Sequence, residues 1–184
     1  CVPAAGLMPV PDGVPDEIAL LAVLSNDSSK GVGKLTLNPD DAVLVTGAGV
    51  IGLLALYRLR WLRLGNVDVL EPLVKRRALA LKLGARSVFS PDSLPQNARY
   101  AAGAECSSRQ AAFAALQRHL NSHGQICVLS DGNLEPLTLL PEFHARELRV
   151  VASSDGEDYP GHAAAFFAYW RETRAPLDEL FTLR

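Results

Sequence analysis

The sequence predicts a doubly wound α/β fold: a parallel six-stranded Rossmann sheet with helices on both faces. Three observations carry that prediction. Short apolar runs alternate with longer amphipathic stretches from residue 42 to residue 173. Glycines or polar turns close the longer stretches. The first apolar run stops at glycines spaced G-x-G-x-x-G, in Gly47-Ala48-Gly49-Val50-Ile51-Gly52. With 184 residues, 48% of them hydrophobic, the chain has material for one well-buried core.

In chain order, Pro9, Pro11 and Pro15 keep the first 16 residues extended. A short helix is expected over residues 16–24, with Asp16 placed to cap it. The polar stretch Ser25 to Lys34 reads as a loop or a frayed helix end. Residues 42–46 form a continuous apolar run, the pattern of a strand buried on both faces. A helix follows over 50–64, closed by Gly65, with Arg58, Arg60 and Arg63 left for solvent. Residues 67–70 are the second strand and 74–83 the second long helix, ended by Gly84. Strands are expected at 87–90, 101–106, 126–129 and 148–153, and helices at 109–120 and 161–173. Asn121 to Gly124 reads as a turn, and residues 134–143 as irregular or weakly helical. The domain reading is a lead-in over 1–24 and a dinucleotide-binding domain over 25–184.

Composition excludes several classes. The net charge is −2 and the charges are interspersed, so no basic face for nucleic acid is expected. No apolar stretch is long enough for a membrane span, and the proline-rich start is not a signal peptide. Cys1, Cys106 and Cys127 are odd in number and far apart, which argues against a disulfide framework or a zinc ribbon and fits a reducing cytoplasm. The segment Lys30-Gly-Val-Gly-Lys34 lacks the spacing of a phosphate loop, and no strand precedes it.

The glycine turn has the right context, a strand before it and a helix after it. Gly47 suits the tight turn, Gly49 leaves room for a pyrophosphate, and Gly52 lets the helix approach the sheet. The N–H groups and dipole at the helix start, around Val50 and Ile51, would face phosphate. Glu71 lies 19 residues after Gly52, at the end of the second strand. A carboxylate there can accept both ribose hydroxyls of an adenosine and repels a 2′-phosphate, so NAD is expected over NADP. Lys75, Arg76 and Arg77 are a counter-signal, since they could meet a 2′-phosphate or simply form a solvated first helical turn.

The chain resembles the cofactor-binding domain of the medium-chain dehydrogenase/reductase superfamily, the zinc-type alcohol dehydrogenase group. The residues carrying this are VLVTGAGVIGLLAL, LALKLGARSVFSP, GAECSS, LNSHGQICVLSDG and ELRVVASSDG, in that order. The resemblance implies NAD-dependent hydride transfer between the nicotinamide and an alcohol or carbonyl substrate. Rival readings are a non-catalytic dinucleotide-binding or assembly module, and a zinc-free NADPH-dependent quinone or enoyl reductase. It also implies a preceding domain of about 120 residues or more holding the zinc ligands and most substrate contacts. The chain departs from the pattern in two further ways. The position of a family zinc ligand falls near Ala22 or Val23, which cannot ligate, and a slip to Asp27 has nothing to support it. The connection from the third to the fourth strand is short and carries Pro91 and Pro95, leaving little room for a helix.

Gly47, Gly49, Val50, Ile51, Gly52, Glu71, Arg76, Cys106, Ser107 and Ser130 are the expected cofactor residues. Asp131 is weighed beside Ser130, because ligands gather at the carboxyl ends of strands in open α/β sheets. Catalytic residues are not identifiable, and no zinc is expected in this chain. His119 and His123 are four apart but have no third ligand nearby. Cys106 reads as a core residue rather than a nucleophile, and Trp61 and Trp170 as packing residues. The last strand should lie at the sheet edge, so a homodimer is expected.

Overall fold

The computed structural model describes residues 7–132 and 135–182. Its six strands are β1 (Val43–Thr46), β2 (Val67–Leu70), β3 (Ser87–Phe89), β4 (Tyr100–Glu105), β5 (Leu120–Val128) and β6 (Arg149–Ala152). They form one sheet in the order β3-β2-β1-β4-β5-β6, and every pairing is parallel. The order reverses at β1, whose neighbours are β2 and β4: Thr46 stands beside Leu70 on one side and Glu105 on the other. A crevice at the carboxyl ends of these strands is where an open sheet of this kind binds ligands.

The helices are α1 (Asp16–Gly33), α2 (Val50–Trp61), α3 (Val74–Lys82), α4 (Gln110–His119), α5 (Pro141–Ala145) and α6 (Tyr159–Thr173), followed by a 3-10 helix at Leu177–Thr182. Strand alternation divides the core in two. Val43, Val45, Val67, Val69, Ala102 and Ala104 face the side covered by α1, α2, α3 and α6. Leu44, Leu70, Tyr100 and Ile126 face Phe113 and Leu116 of α4 on the other. Gly103 lets α4 come close, since a Cβ there would lie 2.3 Å from Leu116 Cδ2.

Several elements differ from expectation, each for a tertiary reason. α1 runs from Asp16 to Gly33 across the polar stretch read as a loop, and Pro15 is its N-cap, with Asp16 inside the first turn. Ser25, Asn26, Ser28 and Ser29 are buried there, and the Ser28 hydroxyl donates to Leu24 O at 2.9 Å. α2 is buried nearly all round, because α1 and α6 cover the face that would otherwise meet water; even Arg58 is only partly exposed, with its guanidinium 4.5 Å over the Trp61 ring. β5 begins at Leu120, so Asn121 to Gly124 belong to a strand with a register shift against β4 rather than to a turn. The reading of 134–143 begins outside the described residues; its end became α5, with Pro141 in the first turn. No helix was expected at Leu177–Thr182. The β3–β4 connection carries none, as Pro91 and Pro95 require.

Candidate functional site

The three glycines at the end of β1 stand in three different environments. Gly47 has φ +86°, the left-handed region, and its N–H donates to Leu70 O at 2.8 Å. Gly49 is the N-cap of α2, and a Cβ built on it meets nothing within 4 Å. A Cβ on Gly52 would lie 1.8 Å from Gly47 O, so this position admits glycine alone. Leu53 N–H is the first in α2 to reach back within the turn, bonding Gly49 O at 2.9 Å. The N–H groups of Val50, Ile51 and Gly52 are therefore the orphan donors of the helix start, where an anion binds well.

Beside this turn lies a groove of about 840 Å³. Gly47, Gly49, Glu71, Arg76, Cys106 and Ser107 all line it, so six of the ten residues expected from the sequence come together in one cavity. Val50, Ile51 and Gly52 make the adjoining helix start. Ser130 is not among the lining residues. The short β3–β4 connection makes a further wall, with Pro91, Asp92, Leu94 and Gln96, where an abbreviated part of the groove is expected from the sequence. The sequence reading missed one wall, Arg109 with one face of α4: Ala111, Ala112, Ala115, Arg118 and His119. That face has helical spacing, and its small residues leave space, so the signal was present in the run RQAAFAALQRH.

Two buried carboxylates flank the glycine turn. Glu71, 2% exposed, accepts the Ala48 N–H at 2.7 Å through Oε2 and the Leu73 N–H at 2.9 Å through Oε1. Glu105, with no exposure, accepts the Ser107 N–H at 2.8 Å and the Ser107 hydroxyl at 2.5 Å on Oε1, and the Ser130 hydroxyl on Oε2. Both serine hydroxyls expected at the cofactor thus hold the loops after β4 and β5 through Glu105. Asp131 Oδ1 accepts the Gly132 N–H at 2.7 Å.

Around the rim, Arg77 donates to the Glu71 and Pro72 carbonyls, both at 2.7 Å. Arg76 Nε is buried and has no hydrogen-bond partner among the described residues. Arg109 pairs with Glu135 at 3.0 Å, and Glu135 also accepts the Gln110 N–H at the start of α4, which holds its carboxyl below the usual range. Burial, then the Glu105 carboxylate, raises the Cys106 thiol well above its ordinary pKa, so it stays protonated and is a poor nucleophile.

His119 and His123 do not meet. His119 Nδ1 lies 3.1 Å from Ala98 O, while His123 pairs with Glu147 at 3.1 Å. Ala22, at the counted ligand position, is buried on α1. Among the described residues no group of three or more His, Cys, Asp or Glu side chains could hold a metal ion. The described residues therefore do not fit zinc.

A parallel sheet reversing at β1, a glycine turn into α2 and a groove at the carboxyl ends of the strands define a Rossmann-type fold. In sequence the chain is similar to the L-threonine 3-dehydrogenases of Rhizobium rhizogenes, 28% identical over 138 residues, and Mesorhizobium japonicum, 30% identical over 137. Each match takes in 70% of this chain and 40% of the relative, so the chain spans less than half the length of the curated relatives it matches. No family model matches. Among solved structures it is similar to acetophenone reductase from Geotrichum candidum in complex with NAD, with TM-score 0.81, 22% identity, and 98% of this chain covering 57% of that one. A short-chain alcohol dehydrogenase from E. coli CFT073 complexed with NADH gives TM-score 0.80 and 19% identity, 91% of this chain covering 52% of that one. A protein described as a zinc-binding dehydrogenase from Sinorhizobium meliloti, bound to NADP, gives 0.77 and 19%, with 87% of this chain and 51% of that one. The sequence likeness is thus to part of the L-threonine 3-dehydrogenases, and the likeness to the solved structures, each under 25% identical, is one of fold.

Proposed function

We propose that this chain is the NAD-binding domain of an alcohol dehydrogenase-like oxidoreductase. The observation that carries the reading is Gly49: the one glycine of the turn beside which a Cβ meets open space, at the N-cap of α2 and on the wall of the groove. That space suits a pyrophosphate against the Val50, Ile51 and Gly52 N–H groups. The adenosine would lie toward Glu71, Arg76 and the β3–β4 connection. When bound, the nicotinamide supplies the hydride chemistry; this chain's residues bind and orient the dinucleotide. NAD is favoured over NADP because the Glu71 carboxylate puts a fixed negative charge in the groove wall, where a 2′-phosphate would be repelled. The substrate is an alcohol or carbonyl compound, by likeness to the relatives.

Titration calorimetry with NAD, NADH and NADP tests the reading. NAD and NADH should bind at micromolar to millimolar concentration, and NADP at least tenfold more weakly. Tighter binding of NADP would overturn the cofactor choice, and absence of any binding would overturn the domain reading. The free cysteines Cys106 and Cys127 support a reducing, cytoplasmic location, and the edge position of β6 supports a homodimer.

A further inference from the structure

The groove does not stop at the glycine turn. Gly47, Gly49, Glu71, Cys106 and Ser107 line it at the carboxyl ends of β1, β2 and β4, while Arg118 and His119 line it at the last turn of α4. Leu120, the residue after His119, pairs with Tyr100, the first residue of β4, and His119 Nδ1 lies 3.1 Å from Ala98 O, just before that strand. One end of the groove is therefore at the carboxyl end of β4 and the other at its amino end, a span of about 17 Å at the rise of a six-residue strand. The cause is the β3–β4 connection. It returns from one end of the sheet to the other without a helix, so Leu94 and Gln96 share a cavity with the facing side of α4. A dinucleotide crosses the strand ends at the switch point. An arm that runs down the face of the sheet is left over.

This arm has an apolar body and a cationic end. Leu94 and Ala115 are half-buried and pack against the cluster of Leu70, Tyr100, Phe113 and Leu116. The acids of the groove, Glu71 and Asp92, follow the carboxyl ends of β2 and β3 and so stand at its mouth. Arg118 is exposed, and its guanidinium makes no hydrogen bond or ion pair among the described residues. A carbonyl only accepts, so His119 Nδ1 carries the proton toward Ala98 O, and its Nε2 has no partner among the described residues. We propose that the arm is a second ligand site, for a medium-chain carboxylate: the alkyl body lies between Leu94 and the alanine face of α4, and the carboxylate meets Arg118 with His119 beside it. The small alanine side chains leave room for the body, and Arg118 supplies the complementary charge. The dinucleotide keeps the glycine turn and the mouth, so the two ligands bind together. The proposal goes beyond the cofactor reading and stands without it.

Calorimetric titration with decanoate, below its micellar concentration, tests the arm. Decanoate should bind, and its affinity should fall about threefold for each methylene removed. Decanol should bind about fivefold more weakly than decanoate, and Arg118→Gln should bind decanoate about fivefold more weakly than the unsubstituted chain, as for one exposed ion pair. Arg118→Gln should keep the melting temperature, because the guanidinium it removes has no partner among the described residues. Two ligands and two variants separate the sites. Arg118→Gln should leave NADH binding unchanged, and Gly49→Val should lose NADH binding and keep decanoate. Saturating ADP should leave the decanoate affinity as it is. Equal affinity for decanol and decanoate, or no effect of Arg118→Gln on decanoate, would overturn the carboxylate. Displacement of decanoate by ADP, or its loss in Gly49→Val, would make the arm part of the cofactor's own place and overturn the second site. Failure of NADH to bind the unsubstituted chain, with decanoate still bound through Arg118, would overturn the cofactor reading and uphold the arm.

Discussion

Within six residues, glycine is required at Gly47 by its φ, at Gly52 by a backbone contact, and at Gly49 only by what would occupy the space beside it. This difference is measurable. Gly49→Val should fold, because its extended N-cap backbone (φ −75°, ψ −172°) suits Val and a Cβ there meets nothing. Its melting temperature should stay within a few degrees, while NADH binding, read by nicotinamide fluorescence, should fall by at least about 100-fold. Gly52→Ala should instead lose about 3 kcal/mol or more, read by urea unfolding, because the new methyl meets Gly47 O and the turn must move. A second prediction concerns His162, whose Nε2 lies 3.1 Å from Ser25 Oγ and whose ring contacts Trp61 and Phe166. Burial, then the Arg58 charge, lowers its pKa from 6.5, against the opposing pull of Asp27 and Asp158. The folded state therefore binds fewer protons than the unfolded state just below pH 6.5, and stability falls as pH drops through that window. Thermal melts from pH 7.5 to 5 should show that slope in the unsubstituted chain and a shallower one in His162→Asn.

At the scale of elements, the polar half of α1 is the part that sequence misread. Helix propensity is weak across Ser25-Asn26-Asp27-Ser28-Ser29, and such residues suit turns when they stand alone. Here they clasp the β6–α6 loop. Asp27 Oδ1 accepts the Gly156 N–H at 2.7 Å and the Tyr159 hydroxyl at 2.9 Å, and Asn26 donates to Glu157 O at 2.8 Å. Lys30 donates to Asp155 O at 3.0 Å and pairs with Glu157 at 2.8 Å, and Lys34 reaches Ala152 O at 2.6 Å. Those partners lie more than 100 residues away, beyond the reach of any local pattern. Asp27→Ala should cost about 1–3 kcal/mol. It should also speed amide exchange at Gly156 while leaving β1 and β4 protected. Equal acceleration throughout the sheet would mean global unfolding instead of release of the clasp.

For the whole molecule, β6 pairs among the described residues only with β5, so its outer side is an edge of the described sheet. Val150 and Val151 are partly exposed there, and Lys34 caps the edge only at Ala152. Pairing of two such edges would bury both rows of backbone groups. Light scattering at tens of micromolar should give twice the mass of 19.8 kDa, and Val150→Pro should return the monomer by placing a ring where a paired strand would lie. A monomer mass for the unsubstituted chain would count against the dimer.

What the sequence determined by itself was the alternation of strand and helix, the glycine turn and its place between β1 and α2. These are encoded within about a dozen residues at a time, by period, by small residues and by breakers, so they can be read without knowing the fold. Six of the ten expected cofactor residues meet in one groove for that reason: each sits at a strand end or on a flanking turn or helix, and the strand ends of a parallel sheet share one side. The tertiary structure decided which atoms those residues spend on the chain itself. Glu71 and Glu105 look like free acids at strand ends; in the fold each satisfies amides or hydroxyls of loops brought beside it by strand pairing. The second wall of the groove, the alanine face of α4, was legible as a helix but not as a wall, because which face of a helix looks into a cavity depends on what it packs against. A buried polar group must find a partner wherever the fold offers one, and that partner is set by topology rather than by neighbouring residues in the chain.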